Sequence, residues 1–388
     1  MFGAIYIGLS GLNAYSKGLQ QVSNNVSNLN TTGFKGSTVS FHNLYATPDR
    51  GGMSLTGQGG SDGYGVAVDD GTLNFKQGEL RSTDRDLDLS VDGNGFMVLL
   101  DGDRTLYART GSFEVDPAGF IVLSGTSHRL ATLDANGRAV SLSVDARRTS
   151  APKATTAVTF ADNLSSTATS YTVSDLRVFD ASGAAHVWKA GFAKGSDGWS
   201  VTVTDDKAAT VGTQMLKFNA GIIDPTTAKL DFTDAASGLT VQFDFSSGVT
   251  SFSGGEVSTL RAAKVDGYAA GTITGIAADS AGKLQLTYSN GQKVDGGAIA
   301  LADFRDPARL EQRDGLFVER EPGQSMLLAS DDPRVGQVRS KRLEASNVDL
   351  SQQFGDLILI QRGFQASSQI VSVSNDMIQQ LFGIRGQG

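Results

Sequence analysis

From Leu12 to Leu29 the apolar residues Leu12, Tyr15, Leu19, Val22, Val26 and Leu29 recur at alternating steps of three and four. That spacing sets them in one stripe along a helix. The stripe carries two apolar residues per heptad, narrower than the face by which a monomeric globular helix usually joins its core. The same alternation returns at the other end through Leu350, Phe354, Leu357, Phe364, Val371, Ile378 and Phe382, with Gln361, Ser368 and Asn375 filling the remaining steps. Ile360, Ile370, Met377 and Leu381 form a second row. Gly33, after Thr31 and Thr32, predicts the stop of the first helix, because glycine readily takes the left-handed conformation needed past a helix end. Asp349 predicts the N-cap of the second, with Gln352 as reciprocal partner, so that helix begins near Leu350.

Between the ends the period changes to two. "YTVSDLRVF", "LTVQFDF" and "KLQLTY" alternate apolar and polar residues as half-buried strands do. Turn pairs at Asn136-Gly137, Ser182-Gly183, Asp197-Gly198 and Asn290-Gly291 punctuate the region. The expected fold is therefore mainly β and multidomain, with α-helical termini that pair as a coiled-coil-like inner domain. Residues 51–65 form a glycine-rich loop. The composition turns rich in Ser, Thr, Ala and Gly after residue 150 and returns near Lys264, which marks 151–263 as an inserted β domain. The expected layout is nested: 1–30 with 348–388 as the helical domain, 31–75 with 331–347 as an extended connection, and 76–150 with 264–330 as a β-rich middle domain.

Composition narrows the possible functions. A chain of 388 residues exceeds what one core usually serves. The net charge of -8 argues against phosphate-backbone binding, which needs clustered Lys and Arg, so no nucleic-acid partner is expected. With no cysteine there are no disulfides, thiolate metal sites or cysteine nucleophiles. No run of 18 apolar residues suggests a membrane-spanning helix, and the start lacks the basic residues of a cleaved signal peptide. Ordering either narrow-seamed end by itself costs more conformational entropy than its apolar burial returns, so each end needs the other and further copies. This is the plan of a polymerising subunit.

"SGLNAYSKGLQQVSNNVSNLNTTGFKG" resembles the N-terminal signature of the flagellar rod and hook axial-protein family, and "LEASNVDLSQQFGDLILIQRGFQASSQIVSVSNDMIQQLFGI" resembles its C-terminal signature. "TDRDLDLSVDGNGFMVLLDGDRTLYARTGSFEVDPAGFIV" is similar to the family's β-rich stretch, while "VDGYAAGTITGIAADSAGKLQLTYSNGQ" and "IALADFRDPARLEQRDGLFVER" resemble its hook members more narrowly. The resemblance implies a subunit exported unfolded by the type III apparatus and stacked into a hollow, flexible, torque-transmitting tube in the flagellum. Its implied partners are further copies of itself, the rod, the hook cap, the hook–filament junction proteins and the export apparatus. A distal rod or junction protein is the near alternative; a secreted β-rich adhesin or hydrolase is the distant one. On this reading the seam of Leu19, Val22, Val26 and Leu29 meets the C-terminal seam in its own subunit and in its neighbours. Asn24, Asn25, Asn28 and Asn30 then donate and accept between subunits. Gly363 stands where the family usually has alanine, and it permits the close approach of another helix or a local bend.

Catalytic chemistry finds little footing. His42, His128 and His186 lie far apart in sequence and outside metalloprotease motifs. "SVDGNGF" and "DGDRT" lack the spacing of a calcium loop and read as turns. Asp84, Asp86 and Asp88 would share one solvated face of a strand. No enzyme activity, cofactor or metal is expected.

Overall fold

The computed structural model describes residues 2–43, 65–69, 71–255, 257–321 and 323–385. The glycine-rich stretch 51–65 therefore lies outside the described residues except for Gly65. Two long helices stand at the ends, α1 (Phe2–Ser27) and α2 (Leu350–Arg385), and the chain between them is almost entirely strand and turn. It divides into two compact units, one of residues 1–145, 276–285 and 295–388, the other of residues 146–275 and 286–294.

The first unit holds the helices and a large antiparallel sheet. From one edge the sheet runs through Leu310–Arg313, Leu316–Glu319, Arg104–Ala108, Phe96–Asp101, Arg129–Leu133, Ile121–Leu123, Thr110–Val115 and Asp88–Asp92 to Gln337–Ser340. Phe96–Asp101 is apolar at successive positions because both its faces are covered. Phe96 and Val98 join a cluster with Tyr107 and Phe317, while Met97 and Leu99 join Leu89, Phe113 and Leu301. Asp84 and Asp86 precede the strand, which begins only at Asp88. The expectation of three carboxylates on one strand face is thus corrected. Asp88 is buried and accepts a 2.6 Å hydrogen bond from Ser112 Oγ, so its carboxylate serves the sheet instead of the solvent.

The second unit is built around one aromatic core. A meander of Ser170–Phe179, Ala185–Gly195, Gly198–Thr204 and Thr210–Leu216 supplies Trp188, Phe192 and Trp199. A second sheet, in which Ala157–Asn163 pairs with Leu239–Asp244 and that strand with the edge strand Lys229–Asp234, supplies Phe160, Phe232 and Phe243. Phe160 stacks on Phe245 with ring centroids 4.6 Å apart. Asp266 ties the entry of this unit to its exit. Its Oδ1 accepts from Thr156 N (2.8 Å) and Ala157 N (2.9 Å), and its Oδ2 from Thr156 Oγ1 (2.6 Å) and Lys153 Nζ (3.2 Å).

Candidate assembly interface

The two terminal helices meet along a line of small residues. On α1 the buried positions are Gly8, Gly11, Ala14, Gly18, Val22 and Asn25, and on α2 they are Gln353, Ile360, Ser367 and Ser374, each seven residues from the next. The approach is close enough to require glycine. A Cβ at Gly11 would sit 2.5 Å from Ser367 Oγ, and one at Gly8 would sit 2.8 Å from Val371 Cγ2. One at Gly363 would strike the Tyr15 ring at 2.4 Å. That is the reason for glycine at a position where alanine would favour the helix: Tyr15 needs the space. The register is pinned by a buried polar pair, in which Asn25 Nδ2 donates to Gln353 Oε1 (2.9 Å) and to Ser37 O (2.8 Å) while Asn25 Oδ1 accepts from Ser37 N (3.0 Å).

Within the chain the contacts fall differently from the expected seam. Asn25 makes hydrogen bonds inside its own chain through both its amide nitrogen and its amide oxygen. Of the N-terminal stripe, Val22 is fully buried, Leu12, Tyr15, Val26 and Leu29 are half-buried, and Leu19 is 42% exposed. On α2, Leu357, Val371 and Ile378 are half-buried, whereas Leu350, Phe354, Gln361 and Phe364 face outward, as do Ser368 and Asn375. The contact line is shifted by one position, from Gln361, Ser368 and Asn375 to Ile360, Ser367 and Ser374. The reason is size, since helices this close need a small residue on at least one side of each contact: Ser367 faces Gly11, and the larger Ile360 is admitted opposite Gly18. The side chains of Leu381 and Phe382 lie outside the described residues.

The helix ends also differ in detail. Helix α1 stops at Ser27, six residues before Gly33, where Asn28 Nδ2 donates to the Asn24 carbonyl (2.9 Å) and Thr31 Oγ1 donates to Asn28 Oδ1 (3.0 Å). Asn24 and Asn30 are exposed and Asn28 is half-buried. Gly33 has φ 72° and serves a close approach, its N–H donating to the Glu344 carbonyl at 2.8 Å. Asp349 caps α2, its Oδ1 accepting from Ser351 N (2.8 Å) and Gln352 N (3.2 Å).

Below the helices, three segments remote in sequence are braided together. Arg342–Glu344 pairs antiparallel with Leu80–Ser82. Asn347 accepts from Gly36 N (2.9 Å) and donates to Asn74 O (2.6 Å) and Lys76 O (2.8 Å). At the centre Lys35 Nζ lies 2.7 Å from Glu344 Oε1, and both side chains are fully buried. Gly78 N donates to the same oxygen at 2.7 Å, and Arg109 Nε lies 3.5 Å from Glu344 Oε2. Burial pushes the Lys35 ammonium below its ordinary pKa, and the adjacent Glu344 carboxylate opposes that shift. Nothing in the local sequence pattern announces this cluster, because 309 residues separate Lys35 from Glu344.

Other chemistry-bearing residues are dispersed. Each histidine sits beside an aspartate: His42 with Asp69 (2.9 Å), His128 with Asp101 (3.6 Å) and His186 with Asp180 (3.3 Å). Among the described residues no three His, Asp or Glu side chains gather as a metal site, and no helix is long and apolar enough to cross a membrane.

Two family models match the ends of the chain. Residues 5–35 match "Flagella basal body rod protein", and residues 339–384 match "Flagellar basal body rod FlgEFG protein C-terminal". Across its length the chain is similar to flagellar hook protein FlgE of Borreliella burgdorferi, at 28% identity covering 99% of this chain and all of that protein. It is also similar to FlgE of Salmonella typhimurium, at 29% identity covering 97% of this chain and 98% of that protein. Among solved structures it resembles Helicobacter pylori flagellar hook protein FlgE2, with a TM-score of 0.48 and 11% identity over 68% of this chain and all of that one.

Proposed function

We infer that this chain, a member of the flagellar rod and hook family, is the structural subunit of the flagellar hook and stacks with copies of itself into a helical tube. The observation that carries this reading is the outward direction of the large apolar side chains on the two helices. Twelve of the twenty-one large apolar residues that are exposed among the described residues lie on α1 and α2, Leu359 at 69% and Phe354 at 51% being examples. A helix pair that meets through glycine, alanine and serine, and turns leucine, isoleucine and phenylalanine to water, lacks a covering layer. In the tube that layer is the same helices of neighbouring copies. Leu12, Tyr15, Leu19, Val26, Leu29, Leu350, Phe354, Leu357, Phe364, Val371 and Ile378 then form the assembly interface, together with Leu381 and Phe382.

The same proposal includes the four-part division of the chain at residues 30, 75, 150 and 263 with their C-terminal counterparts. It also includes contacts with the rod, the cap, the junction proteins and the export apparatus. Torque would pass along the tube through the shared helical layer. The test is assembly of purified protein, followed by sedimentation and electron microscopy. The unaltered chain is expected to form fibres in which both helices resist protease. Replacing Phe354 and Phe364 together by aspartate should leave the β-sheet circular dichroism unchanged and lower fibre mass by on the order of tenfold or more, because charged groups would have to be desolvated at the new contact. Fibres of normal mass from that variant overturn the reading.

A further inference from the structure

The cluster of Lys35, Glu344 and Arg109 is an unusual expense for a structural subunit. Three ionised side chains are withdrawn from water where well-packed apolar residues of the same volume would serve stability equally well. Each is held by more than its charged neighbour. Lys35 Nζ also donates to Lys76 O at 2.9 Å, and Arg109 donates to Gly95 O at 2.6 Å and Gly93 O at 2.5 Å. Glu344 Oε1 accepts from both Lys35 and Gly78. Arg109 Nε and Glu344 Oε2 are buried, have no hydrogen-bond partner and face each other at 3.5 Å. The group sits where both terminal segments enter the sheet unit: Lys35 lies eight residues after the end of α1 and Glu344 six residues before the start of α2.

We propose that Lys35, Glu344 and Arg109 form a register clasp, positioning residues that admit one alignment of the two terminal segments and thereby set how α1 and α2 meet. The mechanism follows from the period of a strand. A slip of one residue in the pairing of Arg342–Glu344 with Leu80–Ser82 turns Glu344 to the opposite face, leaving Lys35 and Arg109 as unpaired cations in a dry site. An apolar side chain at position 344 would carry no such penalty. Along the helix seam only the Asn25–Gln353 pair at one end is specific, and the clasp adds to it, because the successive glycines and serines beyond that pair discriminate poorly between neighbouring alignments. The members are also unequal. Without Lys35, the Glu344–Arg109 pair remains neutral; without the Glu344 charge, two cations remain.

This inference rests on the assembly reading, and the test separates the two. The chain has no cysteine, so Gly11→Cys with Ser367→Cys gives a register reporter free of background. A Cβ at Gly11 lies 3.3 Å from Ser367 Cβ, slightly under the usual disulfide separation of about 3.5 to 4.5 Å, so the bond needs only a small outward shift. Fibres of the reporter protein are oxidised and the cross-linked fraction is measured; failure of the unaltered chain to form fibres counts against assembly and not against the clasp. Adding Glu344→Gln should lower the cross-linked fraction by about tenfold or more, and adding Lys35→Met by about twofold to fivefold, with thermal melting of the β units unchanged in the Lys35→Met protein. Should Glu344→Gln prevent folding altogether, the Lys35→Met protein decides. An unaltered cross-linked fraction in Lys35→Met, or a loss matched by an equal loss of β-unit stability, overturns the proposal.

Discussion

The aromatic core of the second unit and the terminal helix pair use the same apolar residue types in opposite directions. In the core, Trp188, Phe160, Phe243 and Phe245 all turn inward and are fully buried. In the helix pair, Phe354, Ile358, Leu359 and Phe364 turn outward, and the inner line is left to Gly8, Gly11, Gly18 and Ser367. Burying a large side chain contributes roughly 1.5 to 3 kcal/mol. The core therefore collects that term within one chain, and on the proposed assembly the helices collect it only from neighbouring copies. On that proposal one part of the molecule is complete as a monomer, the other only as a component.

Phe160→Ala tests the completeness of the core and should have the largest effect, destabilising that unit by about 3 to 5 kcal/mol in thermal or denaturant unfolding. A loss under about 1 kcal/mol would show that the core is not the source of its stability. Gly11→Leu tests the other side: it forces a branched side chain into the Ser367 hydroxyl and should cost the helix pair about 1 to 3 kcal/mol, read as lost fibre mass with unchanged melting of the β units.

Asp266→Asn probes whether the core unit also depends on its polar staple. Burial raises the Asp266 pKa, but the hydrogen bonds from Thr156, Ala157 and Lys153 outweigh it and hold the carboxyl at about 2, below its ordinary value of 3.8. The folded value is depressed, so the stabilisation is present above the unfolded pKa and is lost as pH falls through the window from about 4 to 2. Allowing for its partial exposure, about 1 to 2 kcal/mol should disappear over that window in the unaltered protein and be missing at neutral pH in Asp266→Asn. Equal acid sensitivity of the two proteins would rule the staple out. The smallest effect is expected at Gly363→Ala. Helix propensity gains about 0.5 to 1 kcal/mol, but the new methyl displaces the Tyr15 ring, and a net loss of under about 1 kcal/mol in fibre stability should result. A stabilised fibre would mean that Tyr15 moves aside freely.

The fold was largely legible because its signals are local. Period, caps and turn pairs announced the helices, the strands and the Asp349 boundary. The contact line on α2 was not, because hydrophobicity marks residues that avoid water without saying which partner covers them. Ser367 and Ser374 carry no apolar signal, yet they lie on the inner line, and Phe354 and Phe364 carry a strong one that points outward. Size was the missing criterion, and the spacing of Gly8, Gly11, Ala14 and Gly18 was the available clue. The buried ions were illegible for a different reason: Lys35, Arg109 and Glu344 look like ordinary surface charges until the topology brings them together.

The braid of residues 33–36, 74–80 and 342–347 has a mechanical consequence. Both extremities leave the sheet unit side by side, cross-tied by Asn347 to Gly36 and by the ladder between Arg342–Glu344 and Leu80–Ser82. A twisting load fed in through the helical rods is therefore divided between two covalent paths. The cross-ties couple the two paths, so a displacement of either one is carried to the other.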